Sequence, residues 1–233
     1  MNFEGFLERL SSGDIKALIF DLDGTLLDSM SMWSEVDKCF LKARGKELTQ
    51  EYTETVKRST LMQSAVFTIE YYGLNETPEE VIAAWESMIE VKYKSEVPIK
   101  KGADQFLRRC RDLGVPIVCA TALSRKNAEN ALINNGVMDL FEFVITLDDL
   151  SENVNKGNPL IYKTACKKLG INDYGKCVVF EDIFVALKGA SDAGFEACAV
   201  YDELSSSEWD KMCDLATNCV PNWAEYFDTL TNP

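Results

Sequence analysis

The sequence predicts an α/β fold: a mostly parallel sheet with helices on both faces and an all-helical segment inserted near its start. Three observations predict it. The wholly apolar run Ala17-Leu18-Ile19-Phe20 stops at two aspartates one residue apart, Asp21 and Asp23, followed by Gly24. From residue 30 to about residue 95 the chain carries only helical stripes. After Pro98, short apolar runs alternate with amphipathic segments, the pattern of strand–helix units in a parallel sheet.

The elements follow in order. Phe3, Phe6, Leu7 and Leu10 share one face of a lead-in helix that ends at Ser11-Ser12-Gly13. Residues 17–20 form the first strand, and a turn at Gly24 follows. Trp33, Val36, Phe40 and Leu41 mark a helical stripe, and Thr49 caps a short helix through Val56. Leu61, Ala65, Ile69 and Tyr72 mark the next helix, ended by Gly73. Thr77-Pro78-Glu79-Glu80 has the form of a capping box with proline at the first helical position. That helix continues through Val81, Ala84, Trp85 and Met88, so roughly four helices fill the insert. Pro98 stops the last of them.

Beyond it, Ala103 to Leu113 reads as a helix with Gly114 just past its end, and Val115 to Ala120 as a strand ending at Thr121. Ser124 to Asn134 is a helix, Phe143 to Thr146 a strand, and Asn158-Pro159 opens a helix that closes at Gly170. Cys177 to Phe180 is a strand ending at Glu181-Asp182. A helix to Gly194 precedes Ala197 to Val200, the last clear strand. The domain division is therefore a discontinuous, Rossmann-like core of residues 1–28 and 97–233 and a helical insert of residues 29–96. An insert whose two ends meet at the surface leaves the host sheet intact.

Composition narrows the chemistry. The chain has 233 residues, 46% of them hydrophobic, which is enough for a substantial core. Histidine is absent, which excludes Ser-His-Asp and Cys-His catalysis and His-ligated zinc and leaves carboxylates favoured. A formal net charge of −14 repels duplex nucleic acid and anionic membranes, so neither is an expected partner. There is no long apolar run and no secretory h-region at the start, and the eight scattered cysteines form no C-x-x-C pair. Free thiols in the cytoplasm are the expectation. The chain is expected to be a monomer or small homo-oligomer.

Four chemical features fall just after four strands, and parallel strands bring their carboxyl ends to one edge. Asp21 and Asp23 repel each other unless a cation or a proton intervenes. Their spacing also permits a division of labour, Asp21 as nucleophile toward a phosphoryl group and Asp23 as acid and base. An ordinary acidic turn is the plainer alternative. Thr121 offers a hydroxyl beside the amides around Ala122, or is simply a residue in the turn before the next helix. Lys156 can neutralise Asp21 and hold phosphoryl oxygens, with Lys163 a weaker candidate, though most single lysines are solvated. Glu181 and Asp182 offer hard oxygen ligands suited to Mg²⁺, or serve only to start a helix.

Asp21-Leu22-Asp23-Gly24-Thr25-Leu26 resembles the first motif of the haloacid dehalogenase-like phosphohydrolases. Leu27-Asp28-Ser29 is similar to the branch with a cap inserted directly after it, which holds small-molecule phosphatases and β-phosphoglucomutase. The resemblance implies a phosphoryl-binding role for Thr121 and the adjacent Ala122, and for Lys156 in Lys156-Gly157-Asn158-Pro159, where the first proline of the family pattern is replaced. It implies Mg²⁺ held by Asp21, the Asp23 carbonyl and Asp182, with Glu181 binding directly or through water. Ile183 and Ala186 stand in place of the serine and glycine with which the fourth motif often continues, while Gly189-Ala190 and Ala193-Gly194 fit its later small residues in part. The cap should close over the site, with Trp33, Lys57, Arg58 and Gln63 as candidates to face a small phosphorylated metabolite. Lys100-Lys101, at the second hinge, is expected to face solvent.

The activity so implied is Mg²⁺-dependent hydrolysis of a phosphate monoester through an aspartyl-phosphate on Asp21. A phosphosugar mutase similar to β-phosphoglucomutase is the alternative enzyme. A binding or regulatory scaffold with little turnover is the alternative from another class. A dehalogenase is disfavoured, because members with that activity lack the second aspartate.

Overall fold

A computed structural model describes residues 3–56, 59–150, 154 and 157–226. Among them, six strands form one sheet in which every pairing is parallel. They are β1 (Ala17–Phe20), β2 (Ile117–Thr121), β3 (Phe143–Thr146), β4 (Cys177–Glu181), β5 (Glu196–Val200) and β6 (Asn218–Val220), in the order β3-β2-β1-β4-β5-β6. The chain runs outward from β1 in one direction to β3 and then crosses to the other side. The switch lies between β1 and β4, where open sheets of this kind leave a crevice at the carboxyl ends of their strands.

Both faces of the sheet are covered because its strands are apolar on both sides. Leu18, Phe20, Ile117, Cys119, Val178 and Phe180 pack beneath α1 (Phe3–Ser11), α6 (Ala103–Asp112) and α7 (Arg125–Asn134). Ala17, Ile19, Val118, Ala120 and Val179 pack beneath α8 (Leu160–Leu169) and α9 (Phe184–Asp192), and α10 (Trp209–Leu215) closes that face beside β5. The expected sheet lacked β6. It is three residues long and carries Asn218 and Cys219, so no alternation marks it, and its place comes from pairing with the edge of β5.

Between β1 and α6 lie α2 (Met30–Lys42), α3 (Gln50–Val56), α4 (Leu61–Tyr72) and α5 (Pro78–Ser95). Thr60–Gln63 and Thr77–Glu80 are both full capping boxes, and Gly73 ends α4 at φ 63°. The two connecting segments pair with each other. Leu27 bridges Ile99 in antiparallel fashion, the Asp28 amide donates to Pro98 O at 3.0 Å, and the Lys100 amide donates to Leu26 O at 2.7 Å. The insert therefore stands on a two-stranded base beside the carboxyl end of β1.

Candidate active site

Strand register brings the acidic residues together. Phe20 pairs with Phe180, so Asp21 and Glu181 are the next residues along neighbouring strands, and the Asp21 amide donates to Phe180 O at 3.1 Å. One carboxylate oxygen from each of Asp21, Glu181 and Asp182 lies within 4.8 Å of the others. All three residues are buried, Asp21 at 8%, Glu181 at 4% and Asp182 at 3% exposure, a density of negative charge that a cation would relieve. An all-oxygen, three-carboxylate set fits the hard Mg²⁺ ion.

The turn after Asp21 is shaped to admit Asp182. Gly24 has φ 77°, and a Cβ built there would come 2.2 Å from Asp182 Oδ2, so both backbone and space require glycine. Thr25 Oγ1 donates to Asp182 Oδ1 at 3.2 Å, and the Leu26 and Leu27 amides both donate to Leu22 O at 2.9 Å. Two distant residues brace the turn. Trp223 Nε1 donates to Thr25 O at 2.9 Å. Lys100 Nζ donates to Gly24 O, to Tyr201 O at 2.8 Å and to Asp202 Oδ2 at 3.1 Å. The expected solvent-facing lysine thus turns inward, because three acceptors converge on it. Sequence gave no signal for either brace, since the partners come from far along the chain.

Tyrosines hold the carboxylates in place. Tyr162, on α8, donates to Glu181 Oε1 at 2.5 Å. Tyr93, on α5, donates to Asp23 Oδ1 at 2.6 Å, and Trp33 Nε1 on α2 donates to the Tyr93 hydroxyl oxygen at 3.1 Å. Burial pushes both tyrosine hydroxyls well above their ordinary pKa, and the adjacent carboxylate charge pushes them further, so both remain donors. Thr121 is buried at the end of β2, its Oγ1 accepting from the Leu123 amide at 3.2 Å. With Ala122, Asp21, Asn158, Tyr162 and Glu181 it lines a cavity of about 20 Å³, room for one or two water centres.

Comparison with known families matches residues 15–194 to the haloacid dehalogenase-like hydrolase family. The chain belongs to the haloacid dehalogenase-like hydrolases. It is therefore an enzyme of the hydrolase class. It is 30% identical to validoxylamine A 7'-phosphate phosphatase of Streptomyces hygroscopicus, over 77% of this chain and 82% of that protein. It is 24% identical to (DL)-glycerol-3-phosphatase 2 of Arabidopsis thaliana, over 89% of each. The crystal structure of CbbY from Rhodobacter sphaeroides with phosphate matches its fold at a TM-score of 0.79 and 19% identity, over 91% of this chain and 96% of that one.

Departures from the haloacid dehalogenase-like pattern have local consequences. A Cβ on Gly189 of α9 would come 2.1 Å from Gly157 O, so the loop that lost its first proline packs directly on α9. Asn158 Oδ1 accepts from the Leu160 amide at 3.0 Å and starts α8. Ile183 stands at the N-cap of α9 and supplies no side-chain bond there. Of the sequence candidates, Trp33 is committed to Tyr93, and Gln63 accepts from the Thr60 amide in its capping box. Lys57, Arg58 and Lys156 lie outside the described residues.

Proposed function

We propose that this hydrolase is a Mg²⁺-dependent phosphatase acting on a small-molecule phosphate monoester through an aspartyl-phosphate on Asp21. The observation that carries the reading is the convergence of Asp21, Glu181 and Asp182, with Asp23 two residues beyond the first. The two sequence relatives, both named as phosphatases of small phosphate esters, support it. Residues 1–28 and 97–233 serve as the catalytic core, and residues 29–96 as the cap that admits substrate.

A carboxylate oxygen of Asp21 attacks phosphorus while Asp23 gives a proton to the departing alcohol oxygen. Asp23, now ionised, takes a proton from water as that water attacks the phosphoryl group, and Asp21 is released as carboxylate. Thr121, the Ala122 amide and Lys156 hold the non-bridging oxygens. Asp21, the Asp23 carbonyl, Glu181 and Asp182 would hold Mg²⁺, which offsets charge between an anionic ester and a carboxylate nucleophile.

Phosphate release from a panel of monoesters, with Mg²⁺ and with EDTA, tests the reading. Wild type should turn over with Mg²⁺ alone, and Asp21→Asn should lose activity by on the order of 10⁴-fold or more. Equal turnover by Asp21→Asn would remove the aspartyl-phosphate. Silence toward every ester would sink the phosphatase. A sugar phosphate with a bisphosphate primer then tests for a mutase.

A further inference from the structure

We infer that Trp33 and Tyr93, at the base of the helical insert, position Asp23 to deliver the proton to the leaving oxygen. This rests on the phosphatase reading above and adds to it two positioning residues. Their hydrogen bonds run in one direction. The indole N–H of Trp33 can only donate, so at 3.1 Å it occupies the oxygen of the Tyr93 hydroxyl. The Tyr93 proton is thereby directed at Asp23 Oδ1, 2.6 Å away. Oδ1 is then an acceptor, and the proton that Asp23 delivers is carried on Oδ2. Without the bond, the carboxyl group can rotate about its last torsion, which is broad and roughly two-fold, and present either oxygen.

The surroundings favour such a role over a chance contact. Tyr93 is fully buried, so its hydroxyl exchanges no bond with solvent, and a bond to a carboxylate is of the stronger kind. Trp33 and Tyr93 lie on different helices, α2 and α5, and each is within five residues of a paired hinge segment, at Asp28 and at Pro98. The relay therefore holds Asp23 from the base of the insert, and a water replacing Tyr93 would not give this fixed direction.

Leaving-group dependence separates positioning from structure. An aryl phosphate such as p-nitrophenyl phosphate expels a stabilised anion and needs little protonation. An alkyl phosphate such as glycerol phosphate must be protonated as it leaves. The measurement is kcat/KM for each ester with Mg²⁺, which reports transfer to Asp21 and excludes the later hydrolysis common to both. Tyr93→Phe should lower kcat/KM for the alkyl ester by about 10- to 100-fold, part of the 10²–10⁴ that a positioned acid supplies. For the aryl ester the loss should be under about threefold. Trp33→Phe keeps the Tyr93–Asp23 bond but not its orientation, and should give the same pattern with about a three- to tenfold alkyl loss. Partial unfolding scales both esters alike and leaves their ratio unchanged.

Equal losses on the two esters, or no loss on the alkyl ester, overturn the inference and leave the phosphatase standing. The alkyl ester is one that wild type turns over in the panel, and absence of wild-type turnover on every ester overturns both.

Discussion

Asp37, on α2, is a carboxyl group in the wrong medium. It is half-buried against the tyrosines of α3 and α4, and burial raises its pKa from 3.8 to about 7, with a hydrogen bond from Tyr52 opposing the rise. The charge of Asp37 in turn contributes to raised hydroxyl pKa values at Tyr52 and, more weakly, at Tyr72. A group whose folded pKa lies above its unfolded value favours folding in its protonated form. Its contribution is complete below about pH 4 and is lost as pH rises through about 7. Asp37→Asn keeps the shape and removes the charge. It should gain about 2 kcal/mol or more over wild type at pH 8, and almost nothing at pH 4. Urea unfolding of the two proteins at a series of pH values measures the difference. A difference that stays flat across this range would show that Asp37 is not the group being titrated.

At the scale of elements, the helices divide by how they begin. α4 and α5 each open with a capping box that satisfies two backbone donors reciprocally. α9 opens at Ile183, which has the extended backbone of a cap residue, φ −120° and ψ 136°, and no oxygen to offer. Ile183 belongs to none of the buried apolar clusters among the described residues, so little packing compensates. Ile183→Ser should therefore stabilise the protein by about 1 kcal/mol, seen as a higher urea midpoint at unchanged slope. A midpoint that falls would mean that the isoleucine packs more than it fails to cap.

At the scale of the whole molecule, what was legible in sequence is what local pattern dictates. The run into Asp21, the Thr77 capping box and the alternation after Pro98 each depend on neighbours a few residues apart, and the sheet and the four inserted helices follow from them. Register then gathered Asp21, Glu181 and Asp182, because parallel strands of similar length end together. What sequence could not show depends on residues separated by much of the chain: Tyr93 on Asp23, Lys100 between Gly24 and Asp202, and Trp223 on Thr25. Each is an ordinary residue until the fold delivers its partner.

Trp223 best shows how far the site reaches. It lies beyond the 15–194 stretch shared with the family, past β6, and its ring packs with Phe20, Phe106 and Phe180 under the central strands. Its N–H takes the Thr25 carbonyl, while a Cβ on Gly102 would come 2.6 Å from Ala224, so the segment is pressed against the hinge as well. Trp223→Phe keeps an aromatic ring, loses the bond and leaves a buried carbonyl and a partial void. The cost should be about 2–4 kcal/mol. If the segment also sets the Gly24 turn beside the proposed nucleophile, kcat/KM on a turned-over monoester should fall severalfold at temperatures where the variant is fully folded. A melting temperature that drops while kcat/KM holds would confine Trp223 to the core. Both falling together would extend the active site to a residue 198 positions along the chain from the carbonyl it holds.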